Sequence, residues 1–73
     1  MLKRHITVLI PAFNEASNIA ALIEQLDAST NGLHRYDFTY LFVDDGSTDD
    51  TTSILESLAD VDQKISIIEL SRN

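Results

Sequence analysis

The sequence predicts an α/β fold: a βαβαβ unit with a parallel sheet. Three short apolar runs rich in β-branched and aromatic residues alternate with two stretches of helical apolar spacing. Two of the runs close on polar clusters, Pro11-Ala12-Phe13-Asn14-Glu15 and Asp44-Asp45-Gly46-Ser47-Thr48-Asp49. Ligands of open α/β sheets gather at the carboxyl ends of the strands, so the two clusters read as one site.

Each element has a local reason. Ile6 to Ile10 is β-branched and is expected to stop at Pro11, which cannot donate to a central ladder. Ile19, Leu22, Ile23 and Leu26 fall at i, i+3, i+4 and i+7, which predicts a helix from Glu15 to Ala28 with Asn14 or Ser17 able to cap it. Ser29 to Asp37 is the long loop, carrying the turn signal Asn31-Gly32. Phe38 to Val43 is the second strand. Thr51 to Ala59 is the second helix, with Ile54, Leu55 and Leu58 inward and Thr48 or Asp49 as its cap. Ile65 to Leu70 is the third strand.

Handedness sharpens the expectation. Parallel crossovers are right-handed, so the strand order one, two, three puts both helices on one face and leaves the other bare. Yet the strands are apolar on both alternations, as strands covered on both sides are. The chain also stops at Ser71-Arg72-Asn73, where a third strand should deliver its loop. It therefore reads as a fragment, residues 1–73 forming one partial domain at the start of a larger one. An isolated first strand would have lost a neighbour, leaving Ile6 to Ile10 open to self-association.

Composition narrows the function. Seventy-three residues make at most one small domain, which buries only about 60% of its unfolded surface. The net charge of -7, with five scattered basic residues, argues against a nucleic-acid surface. A phosphorylated ligand would need a divalent cation to supply the missing positive charge. No cysteine is present, which excludes a disulfide or thiolate metal site. No run approaches the ~20 apolar residues of a membrane span, and no cleavage pattern follows Lys3-Arg4, so a cytoplasmic chain is expected.

The residue types at the two clusters suit a nucleotide. An ionised carboxylate is an acceptor-only partner for the ring N–H groups of a pyrimidine or guanine, and Asp or Glu holds a ribose cis-diol well. The bland alternative is a pair of solvated turns capping helices. Asn14 is open to either reading, and Asp49 and Asp50 read as cap and first-turn acids. Asp60-Val61-Asp62 has a metal-binding spacing but follows the second helix, so it reads as a solvated loop. His5 and His34 read as surface residues, and Tyr36, Phe38, Tyr40 and Phe42 as core or loop cover. With only Gly32 and Gly46, neither a G-x-G-x-x-G turn nor a P-loop is possible. A D-x-D-G-T phosphatase nucleophile is missing because Val43 stands two before Asp45.

Val8-Leu9-Ile10-Pro11-Ala12-Phe13-Asn14-Glu15 resembles the opening strand and P-x-(F/Y)-N-E motif of family 2 glycosyltransferases. Leu41-Phe42-Val43-Asp44-Asp45-Gly46-Ser47-Thr48-Asp49 is similar to their second-strand motif. Leu70-Ser71-Arg72-Asn73 is similar to a run in the narrower group that moves sugars to polyprenyl phosphates, such as bactoprenol and dolichol phosphates. The resemblance covers nearly the whole chain but about the first quarter of such an enzyme.

It implies the N-terminal βαβαβ part of a Rossmann-like, nucleotide-diphospho-sugar transferase fold of GT-A type. It further implies a nucleotide-sugar-binding set of Pro11, Ala12, Phe13, Asn14, Glu15, Val43, Asp44, Asp45 and Gly46, with no catalytic residue in this chain. Pro11 and Phe13 would line base and ribose, Glu15 would bond the ribose or base side, and Asp45 would recognise the base with Val43 beside it. Gly46 would let the chain turn close to the ligand. Asp44 would either touch ligand or orient the loop, and Arg72 would help hold phosphate or be frayed.

The partners implied are a UDP- or GDP-linked hexose and, in the full-length enzyme at the cytoplasmic face of the membrane, a lipid-phosphate acceptor. The cofactor implied is Mg²⁺ or Mn²⁺, its main ligands a later Asp-x-Asp outside this chain. The isolated chain is then expected to be inactive. The competing reading is a non-catalytic nucleotide-binding or interaction module.

Overall fold

The computed structural model of the chain describes residues 3–70. Ser71, Arg72 and Asn73, on which the third motif and the phosphate role of Arg72 rest, lie outside the described residues. The order is β1 (Arg4–Ala12), α1 (Ile19–Thr30), β2 (Tyr36–Asp44), α2 (Thr51–Val61) and β3 (Ile65–Glu69). The strands form one parallel sheet ordered β1-β2-β3.

The expected elements are present, with shifted boundaries that have physical causes. β1 runs through Pro11 to Ala12. Ala12 turns its carbonyl to β2, where it accepts the Asp45 N–H. Successive residues of a strand aim their backbone groups to opposite sides, so the donor that Pro11 lacks belongs to the open edge of β1 and costs no ladder bond. α1 starts at Ile19, four residues later than the spacing suggested. Asn14 stands at φ 51°, outside the helical region, and the Asn18 N–H closes an i to i+3 turn on the Glu15 carbonyl at 2.9 Å, so the α-helix begins only beyond it. α1 runs two residues past the expected Ala28, to Thr30, and stops at Asn31-Gly32, with Gly32 at φ 92°.

Both helices cover the same face. The core there is Ala12, Ile19, Tyr40, Phe42, Leu55 and Ile65, with Leu22, Ile23, Leu26, Ile54 and Leu58 packed against it. Leu55 is fully buried, and its truncation to alanine would cost about 2–5 kcal/mol. The aromatic alternation of β2 falls as expected, with Tyr40 and Phe42 fully buried and Tyr36 at the exposed start.

The other alternation carries His5, Thr7, Leu9 and Pro11 of β1 beside Asp37, Thr39, Leu41 and Val43 of β2. No described element covers it, and Leu9 is 63% exposed. His5 is a surface residue there, its Nε2 2.8 Å from the Thr39 hydroxyl.

Candidate functional site

β1 and β2 end side by side, Ala12 opposite Asp44. The ladder then takes one more step on each side: Asp45 N–H donates to the Ala12 carbonyl at 3.1 Å, and Leu70 N–H to the Asp44 carbonyl at 2.8 Å. The β1–α1 and β2–α2 loops thus leave the sheet as neighbours.

Asp44 shares the helix-covered alternation with Tyr40 and Phe42 and is 2% exposed. Its Oδ1 accepts the Ser47 backbone N–H at 3.1 Å and the Ser47 hydroxyl at 2.6 Å, and its Oδ2 accepts the Thr52 hydroxyl. Burial pushes this carboxyl up, but the Ser47 and Thr52 hydrogen bonds to the ionised form outweigh it and hold Asp44 below the usual 3.8. Asp44 therefore orients the loop. Gly46 completes the turn at φ 72°, a conformation open to glycine without strain.

Asn14 is not a helix cap. It sits at φ 51°, and its side-chain oxygen accepts the backbone N–H groups of Thr48 at 2.8 Å and Asp49 at 3.3 Å. In return Asn14 N–H donates to Ser47 Oγ at 3.0 Å, Glu15 N–H to Thr51 Oγ1 at 2.8 Å and Ala16 N–H to Asp49 Oδ2 at 3.3 Å. The Glu15 carboxylate accepts the Asn18 amide at 3.1 Å.

The caps differ from expectation as well. Asn18 and Asp50 occupy the cap positions of α1 and α2, and neither makes a side-chain cap bond. Asp49 serves α2 from one residue further out. Its Oδ1 accepts both the N–H and the hydroxyl of Thr51, and those bonds draw its carboxyl below 3.8.

The nine expected site residues divide. Phe13, Asn14, Glu15, Asp45 and Gly46 come together on the two loops, with Phe13 52% exposed. The Ala12 and Asp44 side chains belong to the core. Pro11 and Val43 pair on the uncovered alternation of the sheet. A cavity of about 370 Å³ beside the open edge of β1 is lined by Pro11, Ala12 and Glu15 together with residues of α1. Sequence reading missed Ser47 and Thr51 as links between the loops; their only signal was the hydroxyl-rich run Ser47, Thr48, Thr51, Thr52.

Charge is distributed unevenly along the strands. Lys3, Arg4, Arg35 and Lys64 all precede or begin a strand and so lie at the amino end of the parallel sheet. The loops at the carboxyl end bring Glu15, Asp45, Asp49 and Asp50 and, among the described residues, no Lys or Arg. No group of three or more His, Asp or Glu side chains among the described residues is arranged to hold a metal ion. The Asp60-Val61-Asp62 spacing spans the last turn of α2 and its C-cap, where Asp62 accepts the Lys64 N–H at 2.9 Å, at the opposite end of the sheet. No described helix is long and apolar enough to cross a membrane.

The parallel βαβαβ unit with polar loops at its strand ends is a Rossmann-like arrangement, consistent with the N-terminal part of a GT-A glycosyltransferase fold. The glycosyl transferase family 2 model matches residues 7–73, and the chain belongs to that family. It is 35% identical over 68 residues to CsbB of Bacillus subtilis (strain 168), named as a glycosyltransferase, covering 93% of this chain and 20% of that protein. It is also 35% identical over 71 residues to the undecaprenyl-phosphate 4-deoxy-4-formamido-L-arabinose transferase of Yersinia pestis (strain Pestoides F), covering 96% of this chain and 21% of that protein. The chain thus spans about a fifth of the length of these relatives.

Proposed function

We propose that this chain is the donor-nucleotide-binding part of a glycosyltransferase that moves a hexose from a UDP- or GDP-linked sugar to a polyprenyl phosphate. One observation carries the reading: Phe13, Glu15 and Asp45 stand on adjacent loops at the carboxyl end of a parallel sheet. A ring and two carboxylates on adjacent loops suit a base and a ribose. The relative named for undecaprenyl phosphate supports a lipid-phosphate acceptor. Such an acceptor would put the parent enzyme at the cytoplasmic face of the membrane.

The diphosphate is a separate matter. With no described Lys or Arg on these loops, its charge would need Mg²⁺ or Mn²⁺ held by residues outside this chain. The described residues do not themselves make such a site. We accordingly expect the chain alone to bind nucleotide without transferring sugar. A second reading, self-association, is favoured by the edge position of β1 and by the exposure of Leu9 on the uncovered face of the sheet.

The test is a titration of UDP and GDP, with and without Mg²⁺, against the chain and against Asp45→Ala, followed by NMR. Saturable binding weakened at least about tenfold by the substitution fits a carboxylate that bonds the base. Binding that ignores Asp45 would sink the role given to it, and dimers that form irrespective of nucleotide would favour the second reading.

A further inference from the structure

The bonds between the two loops form a pattern. Three consecutive backbone N–H groups of one loop, at Asn14, Glu15 and Ala16, are donated to Ser47 and Asp49 of the other loop and to Thr51, the first residue of α2. Two consecutive N–H groups of that other loop, at Thr48 and Asp49, are donated back to the side chain of Asn14. Neither loop has regular structure here, so these bonds fix where one stands relative to the other.

We propose that Asn14, Asp49 and Thr51 are positioning residues that clasp the two loops and set the separation of Glu15 and Asp45, without touching the nucleotide themselves. This inference rests on the donor-site reading above. Thr51 is fully buried, so its hydroxyl is out of a ligand's reach. That hydroxyl donates to Asp49 and accepts the Glu15 N–H, which ties the Glu15 backbone directly to the start of α2. The Asn14 oxygen has two lone pairs and two backbone N–H donors, so its accepting capacity is spent on the clasp. Facing two donors also fixes that atom as the oxygen of the amide. Asp45 follows Asp44, whose Oδ1 holds the Ser47 hydroxyl that in turn accepts Asn14 N–H. The backbones of both Glu15 and Asp45 are therefore placed by the same set of bonds.

The test measures UDP and GDP affinity by NMR for the chain and for Asn14→Gly, Thr51→Val, Thr51→Ser and the Asn14→Gly/Thr51→Val double variant. Glycine tolerates the left-handed backbone but brings no acceptor, valine keeps the shape of Thr51 without its hydroxyl, and serine restores that hydroxyl. Each of the first two should weaken binding about tenfold, because loop misplacement of an ångström is costly at a preorganised site. The amide signals of Thr48 and Asp49 should move while those of Tyr40 and Phe42 stay. The double variant should lose about as much as either single, since both break one clasp, and Thr51→Ser should recover the affinity.

Unchanged affinity in Asn14→Gly overturns the proposal. So does a double variant whose losses multiply to about a hundredfold, the result for two independent ligand contacts. If Thr51→Val does not fold, Asn14→Gly and Thr51→Ser decide it. A wild-type chain that binds neither nucleotide overturns the donor-site reading, and the positioning role with it. The Thr48 and Asp49 amide shifts in ligand-free Asn14→Gly then still report whether the loops are clasped, so the two failures are distinguishable.

Discussion

The two ends of the sheet each hold a carboxylate in a web of hydroxyl groups, and they neutralise it differently. At the amino end, Asp27 accepts from the Tyr40 hydroxyl at 3.1 Å and from the Lys64 ammonium at 2.9 Å. The Lys64 ammonium also lies 5.6 Å from the centre of the Tyr40 ring. At the carboxyl end, Asp44 and Asp49 are held by serine, threonine and backbone N–H donors alone among the bonds seen. Dipoles stabilise an anion without cancelling it; an ion pair cancels it. The amino end is thus closed electrostatically, and the carboxyl end keeps its negative charge.

The largest effect that separates the two ends is expected from Asp44→Ala. It leaves the half-buried Ser47 N–H and hydroxyl and the Thr52 hydroxyl without their acceptor, at a cost of about 2 kcal/mol in denaturant unfolding. The acid response has the same origin. Asp44 and Asp49 titrate below 3.8 in the folded chain, so their stabilisation is complete above that value and is lost as pH falls through the lower folded values. Asp27 behaves likewise at the amino end. Lys64 adds an alkaline limb there, since its raised folded pKa gives stability present below 10.5 and lost as pH climbs past it. Unfolding followed against pH should show the alkaline loss abolished by Lys64→Met and untouched by Asp44→Ala. The opposite pattern would break the contrast between the two ends.

How much of this was legible in the sequence differs between the two ends as well. The strands, the helices and the parallel order follow from apolar period and alternation, which record burial directly. Asp44-Asp45 and Asn14-Glu15 were legible as a pair of strand-end clusters because turn chemistry is local. The allocation of roles inside the clusters was not. Asn14 as clasp and Thr51 as anchor depend on bonds between residues more than thirty positions apart, and no local pattern encodes a partner at that range. The Asp27–Tyr40–Lys64 web escaped for the same reason: its members stand on a helix, a strand and a loop, each unremarkable in its own neighbourhood.

A smaller effect comes from Tyr40→Phe. The ring is fully buried and stays so, while its hydroxyl loses Asp27 and its 3.0 Å contact with the Thr30 hydroxyl. Thr30 retains the Leu26 carbonyl at 3.0 Å and Asp27 retains Lys64, so no partner is stranded. The expected cost is about 1 kcal/mol, with nucleotide affinity unchanged, because the site lies at the other end of the same strand. Loss of affinity in this variant would mean that the two ends are coupled through β2.

The smallest effect is expected from Lys64→Met itself at neutral pH. The two charged side chains of the pair are each 45% exposed, so water and salt screen much of their attraction. Removing the ammonium should cost no more than about 0.5 kcal/mol, and the difference from wild type should shrink as salt rises. Methionine keeps the apolar stem over Tyr40, which confines the loss to charge. The carboxyl-end web offers the control. Its donors are neutral and its charged neighbours, Asp49 and Glu69, repel Asp44, so the deficit of Asp44→Ala should not shrink but grow slightly as salt rises, and measuring both variants across one salt series tests whether dipoles hold one end while an ion pair closes the other.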